Sequence, residues 1–524
     1  MSLDGGILAH EAAPAATPKG APRPWWETRW FVAGMILLAL VPLLYPQVPP
    51  LVDLPGHMAR YRVELDLGSS PELQRYFAFQ WRLIGNMGVD LLVVPLAKLF
   101  GLEWSVKLVA IVIPALTVAG FLWVAREVHN RLPPTAAFAL PFAFAHPFLF
   151  GFLNFTLSMA LALLAFGLWL RLGRLGKTGL RALLFVPISF VTFICHTFGW
   201  GALGLLCFSA EAVRQHDRGI SWWKAGFKAA LHAAVMAGPI LLMIAWRGNV
   251  AHGMTRDWFN WSIKGMWLAM ALRDRWMGLD IVMVAIPLTT LIFAIRDKRL
   301  TLSRNLAFSA LVLLAVYLVL PRIVFGSAYA DMRLVPVIVA MALLAIRFRF
   351  DTDFRAAQVL AVAGVLLFVA KIAFTTLSLG IAADRQNASI VALDRLPMGA
   401  ASIWLVGEPC AEQWKLPRDS HLGGMATVRR HAFTNDQWAV EGANLLTVKY
   451  REAAPFVADP SQMVKPNGCG NRERMEVDQA LARIPRGAVD YVWTIGLPPH
   501  DPRLLAGYAK VWTDGRNALY AAPR

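Results

Sequence analysis

Residues 51–66, LVDLPGHMARYRVELD, crowd Asp53, His57, Arg60, Arg62, Glu64 and Asp66 into one short stretch just after the first long apolar run. A carboxylate, an imidazole and a guanidinium this close are the groups needed to deprotonate a hydroxyl and hold a phosphate. Arginine suits the second task, because its planar fork is always charged and binds two oxygens at once. Pro55 fits the first turn of a helix, with Asp53 or Leu54 at its cap. His57, Arg60, Tyr61 and Glu64 then fall on one face at three- and four-residue spacings. On this reading Asp53 is a catalytic base, His57 orients it and Arg60 binds phosphate. The plainer reading is an interface helix that Asp53 caps and on which Arg60 pairs with Glu64.

Other polar groups stand at the ends of apolar runs. Asp90 lies in GVDLLVVPLAKLFG, His146 and Asn154 flank HPFLFGFLN, and His196 is near the end of its run. His252 and Arg256, with Arg247 and Asp257, fall in AWRGNVAHGMTRDWFNWSIKG; Asp331 and Arg333 fall in PRIVFGSAYADMRLVP. Ionisable groups in such places face a protein interior or a wet cavity. Together they predict one polar cavity: Asp53 and His57 catalytic; Arg60, Asp90, His146, Asn154, His196, His252, Arg256, Asp331 and Arg333 substrate-binding. The sequence has no GxxxxGK phosphate loop, no GxSxG elbow and no zinc-type Cys or His spacing. Chemistry here would use a membrane-borne activated donor.

The elements that must position these residues are membrane helices. Of 524 residues, 57% are hydrophobic and 16% charged, and the mean hydropathy is +0.50, which marks an integral membrane protein. The net charge of +17 sits in short Lys and Arg clusters between apolar runs, a positive-inside pattern and not a nucleic-acid stripe. Eleven runs read as spans, at about 30–47, 104–125, 134–150, 152–170, 182–200, 201–213, 227–246, 279–295, 305–321, 334–346 and 357–380. Gly88–Gly101 is short and carries Asp90 and Lys98. The basic loops all fall on one side only if this stretch lies in the interface, so it reads as a juxtamembrane helix. That places the amino terminus in the cytoplasm and the carboxyl terminus outside a bacterial inner membrane.

Residues 1–28, rich in Ala, Pro and Gly, read as a disordered cytoplasmic tail and 29–382 as the transmembrane domain. Residues 383–524 read as a periplasmic α/β domain. Its strand-like runs are ASIWLVG, ANLLTVKY and VDYVWTIGLP; MEVDQALARIP is an amphipathic helix, and Asp514-Gly515 marks a hairpin. In an oxidising compartment a Cys410–Cys469 disulfide is allowed, and two free thiols are the alternative. Nothing in this tail names a ligand.

Residues 30–380 resemble the glycosyltransferase-C superfamily. The resemblance rests on VDLPGHMAR, on GVDLLVVPLAKLFGLEWSVKLVAIVIPAL with its short apolar helix and Gly before the next span, and on ADMRLVPVIV, similar to the Arg-hydrophobic-x-Pro entry of a late helix in that group. It implies inverting transfer of a sugar from a polyprenyl-phosphate carrier to a glycan, lipid or protein acceptor, with membrane lipids as surroundings and no nucleic acid. Asp53 matches the first-loop catalytic carboxylate, and Arg333 is a candidate phosphate ligand. Roles for His57 and Arg60 rest on chemistry alone. Many such enzymes carry two neighbouring first-loop acids, whereas Asp53 is followed by Leu-Pro-Gly-His, so participation of a divalent metal ion stays open. Two other readings compete: a transporter or flippase for an anionic lipid or sugar, and a non-enzymatic membrane assembly protein.

Overall fold

The computed structural model describes residues 23–247, 254–324, 326–349, 353–438, 444–470 and 474–523. The expected tail 1–28 lies mostly outside them, but Trp25–Glu27 form a single 3-10 turn whose Trp26 is buried and stacks on Phe354.

The protein is a mostly helical polytopic membrane protein. Among the described residues five helices are long and apolar enough to cross a bilayer: Leu102–His129, Leu153–Arg174, Thr178–Cys195, Met277–Arg296 and Phe354–Arg395. The bent pair Trp222–Met236 and Pro239–Ala245 makes a sixth if it is one span. The remaining apolar runs also become helices, including Arg29–Leu43, Ala136–Phe150, Arg304–Val319 and Met332–Leu344. Prolines shorten several of them. Pro42, Pro141 and Pro336 stand in or beside 3-10 turns that begin or interrupt these segments, because proline has no N–H to continue the α ladder.

The short apolar stretch after the first loop is a helix, Gly88–Phe100, ended by Gly101 at φ 76°. The charged stretch is also a helix, Leu54–Asp66, with Pro55 in its first turn. Leu54, Met58, Ala59, Tyr61 and Val63 are all buried, so this helix is enclosed rather than lying on the surface. The C-terminal helix Gly424–Arg430 packs over it.

The C-terminal part carries a six-stranded sheet, built from β1 (Ser402–Gly407), β2 (Met463–Lys465), β3 (Met475–Glu476), β4 (Tyr491–Ile495), β5 (Ala509–Thr513) and β6 (Asn517–Ala521) in the order β3-β2-β1-β4-β6-β5. β1, β2, β3 and β4 are mutually parallel; β6 is antiparallel to β4 and to β5, the latter through the expected Asp514-Gly515 hairpin. The expected strand in ANLLTVKY departs from this sheet. Leu446–Val448 pairs instead with Phe77–Phe79 of the first loop, and Val63, Tyr76 and Phe77 share a core with Phe433, Val448 and Tyr450. Burial of these rings fixes the C-terminal part against the loop that holds Asp53. Cys410 and Cys469 are bonded, with Cα atoms 5.4 Å apart.

Candidate active site

Asp53 stands at the start of its helix but does not cap it with its side chain. Its backbone is helical, at φ −87° and ψ −7°, rather than extended as a capping residue's is, and Pro55 at the second helical position removes one of the two N–H groups a cap could use. The backbone is pinned instead: Asp53 N donates to the Phe150 carbonyl at 2.9 Å. Gly151, at φ 102°, permits that approach, since a Cβ there would stand 2.8 Å from Asp53 N. The freed carboxylate is 8% exposed and lines a cavity of about 1160 Å³. Burial pushes it up to about 7, raised further by Asp459 and pulled back by His421 and Arg333.

The imidazole facing Asp53 comes from far along the chain. His421 Nε2 lies 3.8 Å from Asp53 Oδ1 and 3.8 Å from Asp459 Oδ1, while Nδ1 is 3.0 Å from the Asp436 carbonyl. Gly424 makes the approach feasible, because a Cβ on it would come within 2.5 Å of the Pro55 carbonyl. The expectation that His57 orients Asp53 is therefore corrected. His57 turns its ring to Trp438 at 4.8 Å, and its buried Nδ1 has no hydrogen-bond partner. Burial, with Arg60 and His421 nearby, holds its imidazole well below the usual range and neutral. Trp438 also touches His421 at 4.6 Å, so one indole contacts both imidazoles.

Arg333 projects into the same cavity. Its guanidinium lies over Phe152, Phe198 and Phe155 at 4.6, 5.3 and 5.8 Å, with only long hydrogen bonds to Ser327 Oγ and the Ala328 carbonyl at 3.3 and 3.4 Å. Among the described residues no carboxylate is ion-paired with it. His146, Asn154 and His196 line the cavity as expected. His146 is 2% exposed and neither ring nitrogen has a partner; His196 uses Nδ1 to accept from the Phe198 amide at 3.1 Å.

Four expected ligands lie elsewhere. Arg60 is bound by Asp90 at 2.6 Å and Glu64 at 3.3 Å, and Asp90 also accepts from Asn154 at 3.0 Å, so Arg60 and Asp90 are spent tying three helices together. Asp331 binds Lys264 at 3.2 Å and the Met332 amide at 2.9 Å, off the cavity wall. Arg256 is exposed on a two-residue bridge to Ile323; its neighbour Asp257 pairs with Arg322, which does line the cavity. His252 lies outside the described residues.

No protein-family model matches this chain, and no curated protein matches it. Among solved structures, the crystal structure of ArnT from Cupriavidus metallidurans in the apo state aligns at 15% identity over 94% of this chain and 97% of that one, with a TM-score of 0.50. The likeness runs over nearly the whole length of both chains and shows a shared fold. A structure of the same protein bound to undecaprenyl phosphate aligns at 13% identity over the same shares, with a TM-score of 0.47.

What sequence reading missed is the contribution of the tail. Residues from Val406 to Arg516 close one side of the cavity, bringing His421, Asp459, Lys415, Arg474 and Arg516 to its wall. Burial, with Arg385 and Arg275 nearby, lowers Lys415 to about 8. The one available signal was His421-Leu-Gly-Gly, a histidine beside paired glycines, which marks close backbone approach. Among the described residues no three His, Cys, Asp or Glu side chains form a set able to hold a metal ion.

Proposed function

We propose that this protein transfers a sugar from a polyprenyl-phosphate carrier to a hydroxyl-bearing acceptor on the periplasmic face of a bacterial inner membrane, with inversion. The observation that carries the reading is that Asp53 and Arg333 face one cavity, and neither is consumed by a structural partner. Arg333, caged by phenylalanines, offers its fork to the carrier phosphate. Low local polarity strengthens that charge-assisted bond. His146 and His196 offer hydrogen-bonding nitrogens to sugar hydroxyls, whereas the Asn154 amide, though at the wall, is spent on the Val89 N–H, the Asn86 carbonyl and Asp90. Asp53 takes the acceptor proton as the acceptor oxygen bonds to the anomeric carbon, and the phosphate leaves with the electron pair of the broken C–O bond. Residues 383–524 act as the periplasmic part that completes the pocket. No step is drawn through a metal ion, because the described side chains supply no ligand set.

The test is turnover of mixed polyprenyl-phosphate sugars by purified wild type and Asp53→Asn in lipid nanodiscs, following carrier release with an acceptor pool present. Loss of a general base lowers the rate about 100- to 10,000-fold, with the variant folded and inserted. Full transfer by Asp53→Asn removes Asp53 from the mechanism. Specific binding with no turnover by wild type favours transport.

A further inference from the structure

Hydrogen-bond arithmetic around His421 requires more than a spectator. Its Nδ1 lies 3.0 Å from the Asp436 main-chain carbonyl, which can only accept, so Nδ1 carries a proton. In a neutral ring Nε2 is then a bare lone pair, yet it faces two carboxylate oxygens, Asp53 Oδ1 and Asp459 Oδ1, each at 3.8 Å. A lone pair between two anions is repulsive. One further proton settles the cluster, on Nε2 or on one of the carboxyls.

We propose that His421 is a proton-relay and positioning residue: Asp53 passes the acceptor's proton to His421 Nε2, and Asp459 leads it away from the reacting atoms. The inference rests on the transferase reading. It assigns the C-terminal part a share in the chemistry that goes beyond enclosing the substrate. Protons balance from the state that carries the shared proton on Nε2: Asp53 takes the acceptor's proton, His421 gives its Nε2 proton to Asp459, whose side chain is 20% exposed and returns it to solvent, and Asp53 then hands its proton to the vacated Nε2. Both ends are built for the task. Asp459 is steadied by Gln462 Nε2 at 2.8 Å, and the His421 ring is held against Trp438. The charged and titratable groups around the pair are Arg333 and Tyr329 towards Asp53, and His57 and Asp436 towards His421.

The test uses full-length protein in nanodiscs and two readouts. Infrared titration without substrate follows the protonated carboxyl band that Asp53→Asn removes. His421→Gln removes the proton-sharing ring and is expected to move the midpoint of that band up by about one pH unit; Asp459→Asn removes an anion and is expected to move it down. Turnover of the same polyprenyl-phosphate sugar mixture then shows His421→Gln about 10- to 100-fold slower at pH 7, recovering as pH rises. A purely structural histidine would not give that recovery. Unchanged midpoints in both variants overturn the proposal, and the Asp459 variant keeps it falsifiable if His421→Gln misfolds. Shifted midpoints without turnover by wild type leave the shared proton established but overturn the transferase reading and the relay with it.

Discussion

The two ends of the Leu54–Asp66 helix each pair an acidic with a basic residue and do opposite things. At its start, Asp53 and His57 face a cavity, with no capping bond for the carboxylate and a buried imidazole nitrogen without a partner. Two turns on, Arg60 is bound to Asp90 and stands 3.3 Å from Glu64, and Asp90 also accepts from the Asn154 amide. Burial and the neighbouring Asp90 push Glu64 up to about 9, so at neutral pH it keeps its proton, and Arg60 with Asp90 forms the charged pair. Charges whose partners lie inside the protein hold elements together; polar groups left unpaired at a cavity wall are available to a ligand.

The sharpest way to break this contrast is Arg60→Ala. It strands Asp90 in a buried site, and breaking such a pair costs about 3–5 kcal/mol. The expected outcome is loss of folded protein in detergent thermal unfolding, without a selective rise in donor KM. A folded Arg60→Ala with weakened donor binding would return Arg60 to the ligand set. Smaller, and opposite in kind, is Arg333→Ala. Its head has no carboxylate partner among the described residues, so folding should hold while donor KM rises about 10- to 100-fold, the scale of one charge-assisted contact. An unchanged KM removes Arg333 from the phosphate site.

This contrast also explains what the sequence could and could not convey. Apolar runs announce helices because the bilayer demands that every backbone group be satisfied within the segment, so the helices, Gly88–Phe100 among them, were legible, as was the hairpin at Asp514-Gly515 from its turn residues. Asp53 was legible because acid, proline and glycine adjoin in one motif. The division between Asp53 and Arg60 was not, since it depends on Asp90 and Asn154, which arrive from other helices. His421 was hidden for the same reason: its partner lies 368 residues away, brought near by rings such as Tyr76 and Phe433 and by the pairing of Phe77–Phe79 with Leu446–Val448. The segment ANLLTVKY has a strand's composition, and composition does not say which edge it joins.

The smallest expected effect sharpens the comparison from the side of stability. Asp53 is pushed up to about 7 in the folded protein against an ordinary value of 3.8, first by burial. Below about pH 4 the carboxyl is protonated whether the chain is folded or not, and it adds no penalty. Between about pH 4 and 7 the unfolded chain ionises while the folded one holds its proton, so stability falls as pH rises, and above about 7 the penalty is complete. Asp53→Asn copies the protonated form. It should therefore be no more stable than wild type at pH 4 and about 1–2 kcal/mol more stable at pH 8, a discount from the full shift because Asp53 lines a cavity that admits water. Arg60→Ala, by contrast, should be destabilised at both pH values. Equal melting of Asp53→Asn and wild type at pH 8 would mean that Asp53 has found a partner inside the protein after all, and the two ends of the helix would no longer differ in kind.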